Sequence, residues 1–231
     1  MPIKHALTPP RRGHDSARVL PTGVNNKLAF DRLVFFSDAV FAIAITLLAL
    51  ELRLPAMPHA GNGALWQAIV GLWPRYLSFL VSFLVIGLFW IGHHRMFRLI
   101  NRFDDALLWI NLLFLMCIVV IPYPTAVLGE HAGTAAAVML YAGVLAATGL
   151  LQTAIWLYAT TGRRLVDTTL PDAQYRLLVR LVSARVFGSP IVFLVSVALA
   201  YRWPVFAMYS WILIAPHMLL IRWLGRRTPA A

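Results

Sequence analysis

Six times between Arg32 and Leu224 the chain runs apolar for the length needed to cross a bilayer, whose hydrocarbon is about 30 Å thick. The runs cover roughly Arg32 to Leu54, Pro74 to His94, Asp105 to Val127, Ala132 to Ala159, Leu177 to Tyr201 and Pro204 to Leu224. Backbone N–H and C=O groups have no water partner at that depth, so each run is best satisfied as a helix. The expected fold is therefore all-α, a membrane protein with six transmembrane helices. Composition agrees: 60% of the 231 residues are hydrophobic and 13% charged, against roughly 45–50% and about 25% in soluble domains.

The formal charge of +11 would suit nucleic acid if it were clustered, but it alternates between loops. Of the 20 Lys and Arg residues, 17 lie before the first run, after the second, around the fourth-to-fifth connection and after the sixth. Arg53, Arg75 and Arg202 fall on the other side. The positive-inside rule places both termini in the cytoplasm, which an even number of spans requires. Residues 1–28, rich in Pro, Arg and Gly, read as a disordered basic cytoplasmic tail suited to anionic lipid, without the apolar core of a signal peptide. Residues 226–231 form a second, short cytoplasmic tail.

Other features read as packing or anchoring. Cys117 sits mid-run, with no disulfide or CxxC partner. Leu65, Trp66, Ile69, Val70 and Trp73, in the external connection after the first run, form either a short interfacial helix or aromatic anchors. Gly133, Ala137, Gly143 and Ala147 have spacing that permits close helix approach, and Pro190 and Pro216 should kink their helices. His59, His131 and His217 carry no readable chemistry. No HExxH, GxSxG or phosphate loop is present, so enzymatic chemistry is not expected. His93, His94, Asp104 and Asp105 do not have metal-ligand spacing, and no internal inverted repeat points to a transporter.

The first run is the anomalous one. It carries Arg32 and Asp38 within its opening turns, where ionisable groups cost about 2.5–3.5 kcal/mol by insertion scales and mark an interior, a partner or a path. At about 100° per residue, Ile43, Thr46, Leu47, Leu50 and Leu54 form one stripe, and Asp38, about 140° from Ile43, belongs to another with Ala42, Ile45 and Ala49. Apolar stripes of this kind commonly contact lipid or core.

The order Arg32-xxx-Phe36-Ser37-Asp38, then Val40-Phe41-Ala42-Ile43 and Thr46-Leu47-Leu48, resembles the Arg-xxx-Phe-Ser-Asp signature of the transmembrane protein 175 family, potassium channels of endolysosomes and their bacterial relatives. Trp90-Ile-Gly-His93-His94-Arg95-Met-Phe97, Asp104-Asp105, Asn111-Leu-Leu-Phe-Leu115 and Pro122-Tyr-Pro-Thr125 resemble the second and third spans of bacterial members. Together the blocks cover Arg32 to Thr125.

The resemblance implies a bacterial single-repeat member in the plasma membrane, with residues 29–225 forming a six-helix channel domain that assembles as a homotetramer around the first helix. On that template Ile43 forms the narrowest hydrophobic ring, Thr46 sets hydroxyls near the axis, and Leu47 and Leu50 form further rings. There is no carbonyl filter, and no cofactor beyond the permeant potassium ions. Glu51 stands at the pore mouth or, equally, as a solvated interfacial carboxylate beside Arg53. Arg32, Ser37, Asp38, His93, His94 and Asn111 lie near the cytoplasmic ends of the first three helices and are expected to form a supporting polar network. The rival reading is a proton-coupled transporter using Asp38, His93 and His94.

Overall fold

A computed structural model of the protein describes residues 22–57, 61–166 and 171–211. Among these, regular structure is helical apart from an isolated antiparallel bridge between Ile100 and Val166. Helix α1 spans Thr22–Leu47 and tightens into a 3-10 turn over Leu48–Glu51. It is followed by α2 (Asn62–Gly71), α3 (Trp73–Phe97), α4 (Asp105–Val120), α5 (Pro122–Glu130), α6 (Ala135–Thr160), α7 (Asp172–Ala200) and α8 (Pro204–Ser210).

Among the described residues, five stretches are long and apolar enough to cross a membrane: Lys27–Glu51, Trp73–Phe97, Asp105–Glu130, Ala135–Arg163 and Asp172–Ala200. They coincide with the first five apolar runs, so this is an all-helical, multi-pass membrane protein. Helix α8 opens the sixth run at Pro204. The continuation of that run, with Pro216, His217 and the C-terminal arginines, lies outside the described residues, as do residues 1–21 and His59.

Helix α1 begins earlier than residue 29. After this start the Phe30 ring stacks on Phe97 at 6.0 Å and lies 6.2 Å from Phe103. At the other end the α-helix stops at Leu47, not Leu54. The chain leaves through the 3-10 turn, where Leu52 N–H reaches the Ala49 carbonyl and Arg53 Nε donates to the Leu50 carbonyl at 2.8 Å. Carbonyls at a helix end need such partners. Leu54, beyond the turn, therefore does not continue the helical stripe. The segment around Trp66 is the short helix α2, with no buried residue and with Trp66 and Val70 projecting outward.

The third span is broken. Pro122 and Pro124 lack N–H groups, so α4 ends at Val120 and α5 restarts at Pro122. The Thr125 hydroxyl lies 2.8 Å from the Ile121 carbonyl and 2.8 Å from Ser82 Oγ, which in turn meets the Tyr141 hydroxyl at 3.0 Å. This buried hydroxyl cluster ties α3, α5 and α6 at the break.

Helix α6 is the structural centre, burying Tyr141, Leu145, Ile155 and Trp156. Its close approach to α7 is made by Gly149, where an added Cβ would stand 3.0–3.2 Å from the Pro190 ring and nitrogen. The small residues expected to do this sit elsewhere: Gly143 faces open space, Ala147 is exposed, Gly133 occupies the turn before α6 at φ +82°, and only Ala137 is buried. The packed face is Ala142, Ala146 and Gly149, and spacing alone does not say which of two small-residue faces meets a neighbour. Pro190 cannot donate to the Val186 carbonyl. Thr153 of α6, whose hydroxyl donates to the Gly149 carbonyl at 2.8 Å, also lies 3.4 Å from that orphaned oxygen.

Candidate functional site

Helix α1 has two dissimilar faces. Ser37, Phe41, Ala44 and Leu48, spaced i, i+4, i+7, i+11, are buried against α3 and α4. About 90–170° from the centre of that face, Ile43 is 56% and Leu50 54% exposed, Thr46 and Ala39 are exposed and Leu47 is half-buried. Within the subunit Ala39, Ile43, Thr46 and Leu50 are left exposed. The Thr46 hydroxyl donates to the Ile43 carbonyl at 2.8 Å, so its proton is committed to the backbone and its lone pairs point outward.

The buried face carries a directional chain of hydrogen bonds. His93 Nε2 lies 2.9 Å from Asn111 Oδ1, Asn111 Nδ2 donates to Ser37 Oγ at 3.0 Å, and Ser37 Oγ donates to the Leu33 carbonyl at 2.9 Å. Because the amide oxygen only accepts, Nε2 of His93 carries a proton. All three side chains are at most 1% exposed. The imidazole is held by aromatic rings, 4.1 Å from Phe97, 5.6 Å from Phe114 and 5.7 Å from Phe41. Asp38, about 100° further round α1, accepts from Trp90 Nε1 of α3 at 2.8 Å.

Four of the six anticipated network residues thus come together, in two separate bonds systems. His94 is exposed and stacks on Trp90 at 5.7 Å. Arg32 is exposed and makes no hydrogen bond or ion pair among the described residues. Its position explains this: five residues before Ser37 is about 140° away, whereas eleven before Ile43 is only about 20°, so Arg32 belongs to the outer stripe. Trp90 was missed as a partner, since an indole in an apolar run reads as an interfacial anchor, although its N–H needs an acceptor.

At the end of α1, Glu51 is half-buried while Arg53 turns back on the Leu50 carbonyl instead of pairing with it. Arg75 at the start of α3 donates to the Arg53 carbonyl at 3.1 Å and to Glu130 at 2.9 Å, and Gly129 packs against its backbone. At the opposite, arginine-rich end, Asp104 caps α4 through the Leu107 N–H at 3.0 Å and accepts from the Tyr158 hydroxyl at 2.7 Å. Desolvation pushes its carboxyl up, but the Leu107 N–H, Tyr158 and the Arg164 charge outweigh this and hold it below the usual carboxylate range. Among the described residues no three His, Cys, Asp or Glu side chains are grouped to hold a metal ion.

Comparison with known proteins bears on this arrangement. Residues 32–122 match the family model described as Endosomal/lysosomal potassium channel TMEM175. A protein named potassium channel from Streptomyces collinus is 42% identical over 140 residues, 59% of this chain and 67% of that one. Another so named, from Chamaesiphon minutus, is 41% identical over 138 residues, 58% of this chain and 68% of that one. The crystal structure described as a lysosomal potassium-selective channel TMEM175 homolog from Chamaesiphon minutus superposes with a TM-score of 0.70 at 33% identity, over 84% of this chain and 98% of that one. The matched family segment is the one that builds the two-faced helix and its buried hydrogen bonds, and with relatives of this identity and coverage the chain belongs to the TMEM175 family.

Proposed function

We propose that the chain is the subunit of a potassium-permeable channel, four copies of which turn the outer stripe of α1 toward a shared axis, with six spans per subunit and both termini in the cytoplasm of a bacterial cell. The observation that carries this reading is the exposed stripe itself. Ile43, Thr46 and Leu50 lie exposed on a helix whose opposite face is fixed by buried polar contacts. The names of the Streptomyces and Chamaesiphon relatives support the same permeant ion.

In such an assembly Ile43 forms a ring of branched side chains that excludes a hydrated ion by dewetting when narrow. Thr46, one turn away, offers four hydroxyl oxygens as acceptors, because each proton is held by the Ile43 carbonyl. Those oxygens can replace part of a cation's water, and potassium gives up its water more readily than sodium. Leu47 and Leu50 extend the apolar lining and Glu51 raises cation concentration at the outer mouth. Proton-coupled transport is less well supported: Asp38 and His93 have separate partners, and His94 stands apart from both.

Reconstitution in planar bilayers under a potassium/sodium gradient tests the reading. Wild type is expected to pass ohmic currents reversing toward the potassium potential. Ile43→Asn, which wets the ring, and Thr46→Ala, which removes the hydroxyl acceptors, should each move the reversal toward sodium. Silent bilayers for wild type and Ile43→Asn alike would refute the proposal.

A further inference from the structure

At the arginine-rich end, α4 and α6 flank an open groove of about 840 Å³. Its lining is ordered along the membrane normal. Ile110, Ala154 and Leu157 form an apolar floor, and Tyr158, Thr161 and Arg164 stand at the end where α6 stops. Trp109, beside Ile110, is 67% exposed.

The hydroxyl protons at the rim are committed. Tyr158 donates to Asp104 and Thr161 to the Leu157 carbonyl, each at 2.7 Å. Arg164 differs: its guanidinium carbon lies over the Tyr158 ring, 4.7 Å from the centroid, and it forms no ion pair within 4.0 Å among the described residues. Its neighbour Arg163 is instead paired with Asp172 and stacked on Tyr175. The N–H groups of Asn101 and Arg102 donate to the Leu165 carbonyl at 3.0 and 3.3 Å, which brings the α3–α4 connection, with exposed Arg98 and Arg102, alongside the rim. Asp104 is the opposing charge nearby; it is hydrogen-bonded by the Leu107 N–H and Tyr158 and feels the Arg164 charge without forming an ion pair with it.

We propose that this groove holds an anionic phospholipid of the inner leaflet, one acyl chain against Ile110, Ala154 and Leu157 and the phosphate at the edge of the Arg164 guanidinium. An apolar floor rising to a cation that lies over an aromatic ring and forms no ion pair among the described residues matches a molecule with a chain below a negative group. A zwitterionic headgroup would set its own cation among Arg98, Arg102 and Arg164, and a free phosphate would leave the floor unfilled. The inference rests on the orientation given under Proposed function but not on conduction.

Native mass spectrometry of the full chain, released from detergent with equimolar phosphatidylglycerol and phosphatidylcholine, is the test. Wild type should retain phosphatidylglycerol in preference. Arg164→Gln should weaken that retention about fivefold, the share of one basic side chain near an anionic surface, and weaken phosphatidylcholine less, so that the preference shrinks. Leu157→Trp, or Ala154→Leu should the first fail to fold, fills the floor and should reduce retention of either lipid. Excess glycerol phosphate should not compete. Equal phosphatidylglycerol retention by wild type and Arg164→Gln would overturn the proposal, as would displacement by glycerol phosphate. Loss of oligomer with Leu157→Trp while lipid is retained would also overturn it, making the groove a contact between subunits. No current is read, so a non-conducting protein would not affect the outcome.

Discussion

Asn111 is the middle of a chain of three buried side chains, and its replacement makes a prediction whose sign depends on background. Asn111→Leu keeps the branched shape but deletes the bonds to His93 and Ser37. Ser37 retains its bond to the Leu33 carbonyl, so the serious loss is the His93 Nε2 proton, stranded at 1% exposure. An orphaned buried donor costs about 1–3 kcal/mol, and hydrogen bonds between membrane helices average about 0.6 and reach about 1.7 kcal/mol. Asn111→Leu should therefore cost about 2 kcal/mol. His93→Phe in the wild-type background preserves the stack with Phe97 and Phe114 and leaves Asn111 Oδ1 without a donor, costing about 1 kcal/mol. In the Asn111→Leu background the same change removes the stranded proton and should restore about 1 kcal/mol. Graded SDS unfolding of the detergent-solubilised protein, followed by circular dichroism, measures all four corners of the cycle. Additivity within about 0.5 kcal/mol would show that the two side chains do not depend on each other and would refute the reasoning.

Two further outcomes follow from particular contacts. Gly149→Ala places a methyl group 3.0–3.2 Å from the Pro190 ring and nitrogen, so α6 and α7 must separate, costing about 1–3 kcal/mol in the same unfolding assay; Gly143→Ala, in open space, should be neutral. Asp104, held below the usual carboxylate range, contributes stability that is complete above its unfolded value of about 4 and is lost as pH falls through its lower folded value. Asp104→Asn keeps a capping side chain without the charge, so the stability gap between wild type and variant should close on acidification below about pH 4, as read by unfolding at stepped pH.

The spans were legible because hydropathy and length decide them: a backbone in hydrocarbon has few alternatives to helix. The polar members of the site were legible for the same reason, since Ser37, Asp38, His93 and Asn111 interrupt apolar runs. Their pairings were less so. Arg32 is near Ser37 along the chain but about 140° from it around the helix, and that angle, available from numbering alone, outweighs proximity. Trp90 was indistinguishable from an anchor until Asp38 was placed 2.8 Å from it. The Gly149–Pro190 approach could not be read at all, because it depends on which faces of α6 and α7 meet. The end of α1 was misread since nothing in Leu48-Ala-Leu-Glu51 marks a change from α to 3-10; there Arg53 turns back on the Leu50 carbonyl and Arg75 holds the carbonyl of Arg53 beyond the turn.

The division of α1 into faces has a physical reason specific to membranes. Between apolar side chains and lipid tails there is little difference in free energy, so an apolar helix is nearly indifferent to its rotation about its own axis. An exposed stripe of Ile43, Thr46 and Leu50 cannot by itself choose which way to face. Ser37 and Asp38 remove that freedom. They are adjacent, hence about 100° apart around the helix, and they bond to different neighbours, Ser37 to Asn111 of α4 and Asp38 to Trp90 of α3. One bond would permit a swing about its own direction; two, on separate helices, admit a single setting. A slip of one residue would rotate α1 by about 100° and break both while moving Ile43 away from its position. The rotation that these two bonds permit is the one that leaves Ile43 and Leu50 more than half exposed, so the cost of placing a carboxylate and a hydroxyl in a membrane helix is offset by a fixed orientation for its aliphatic side.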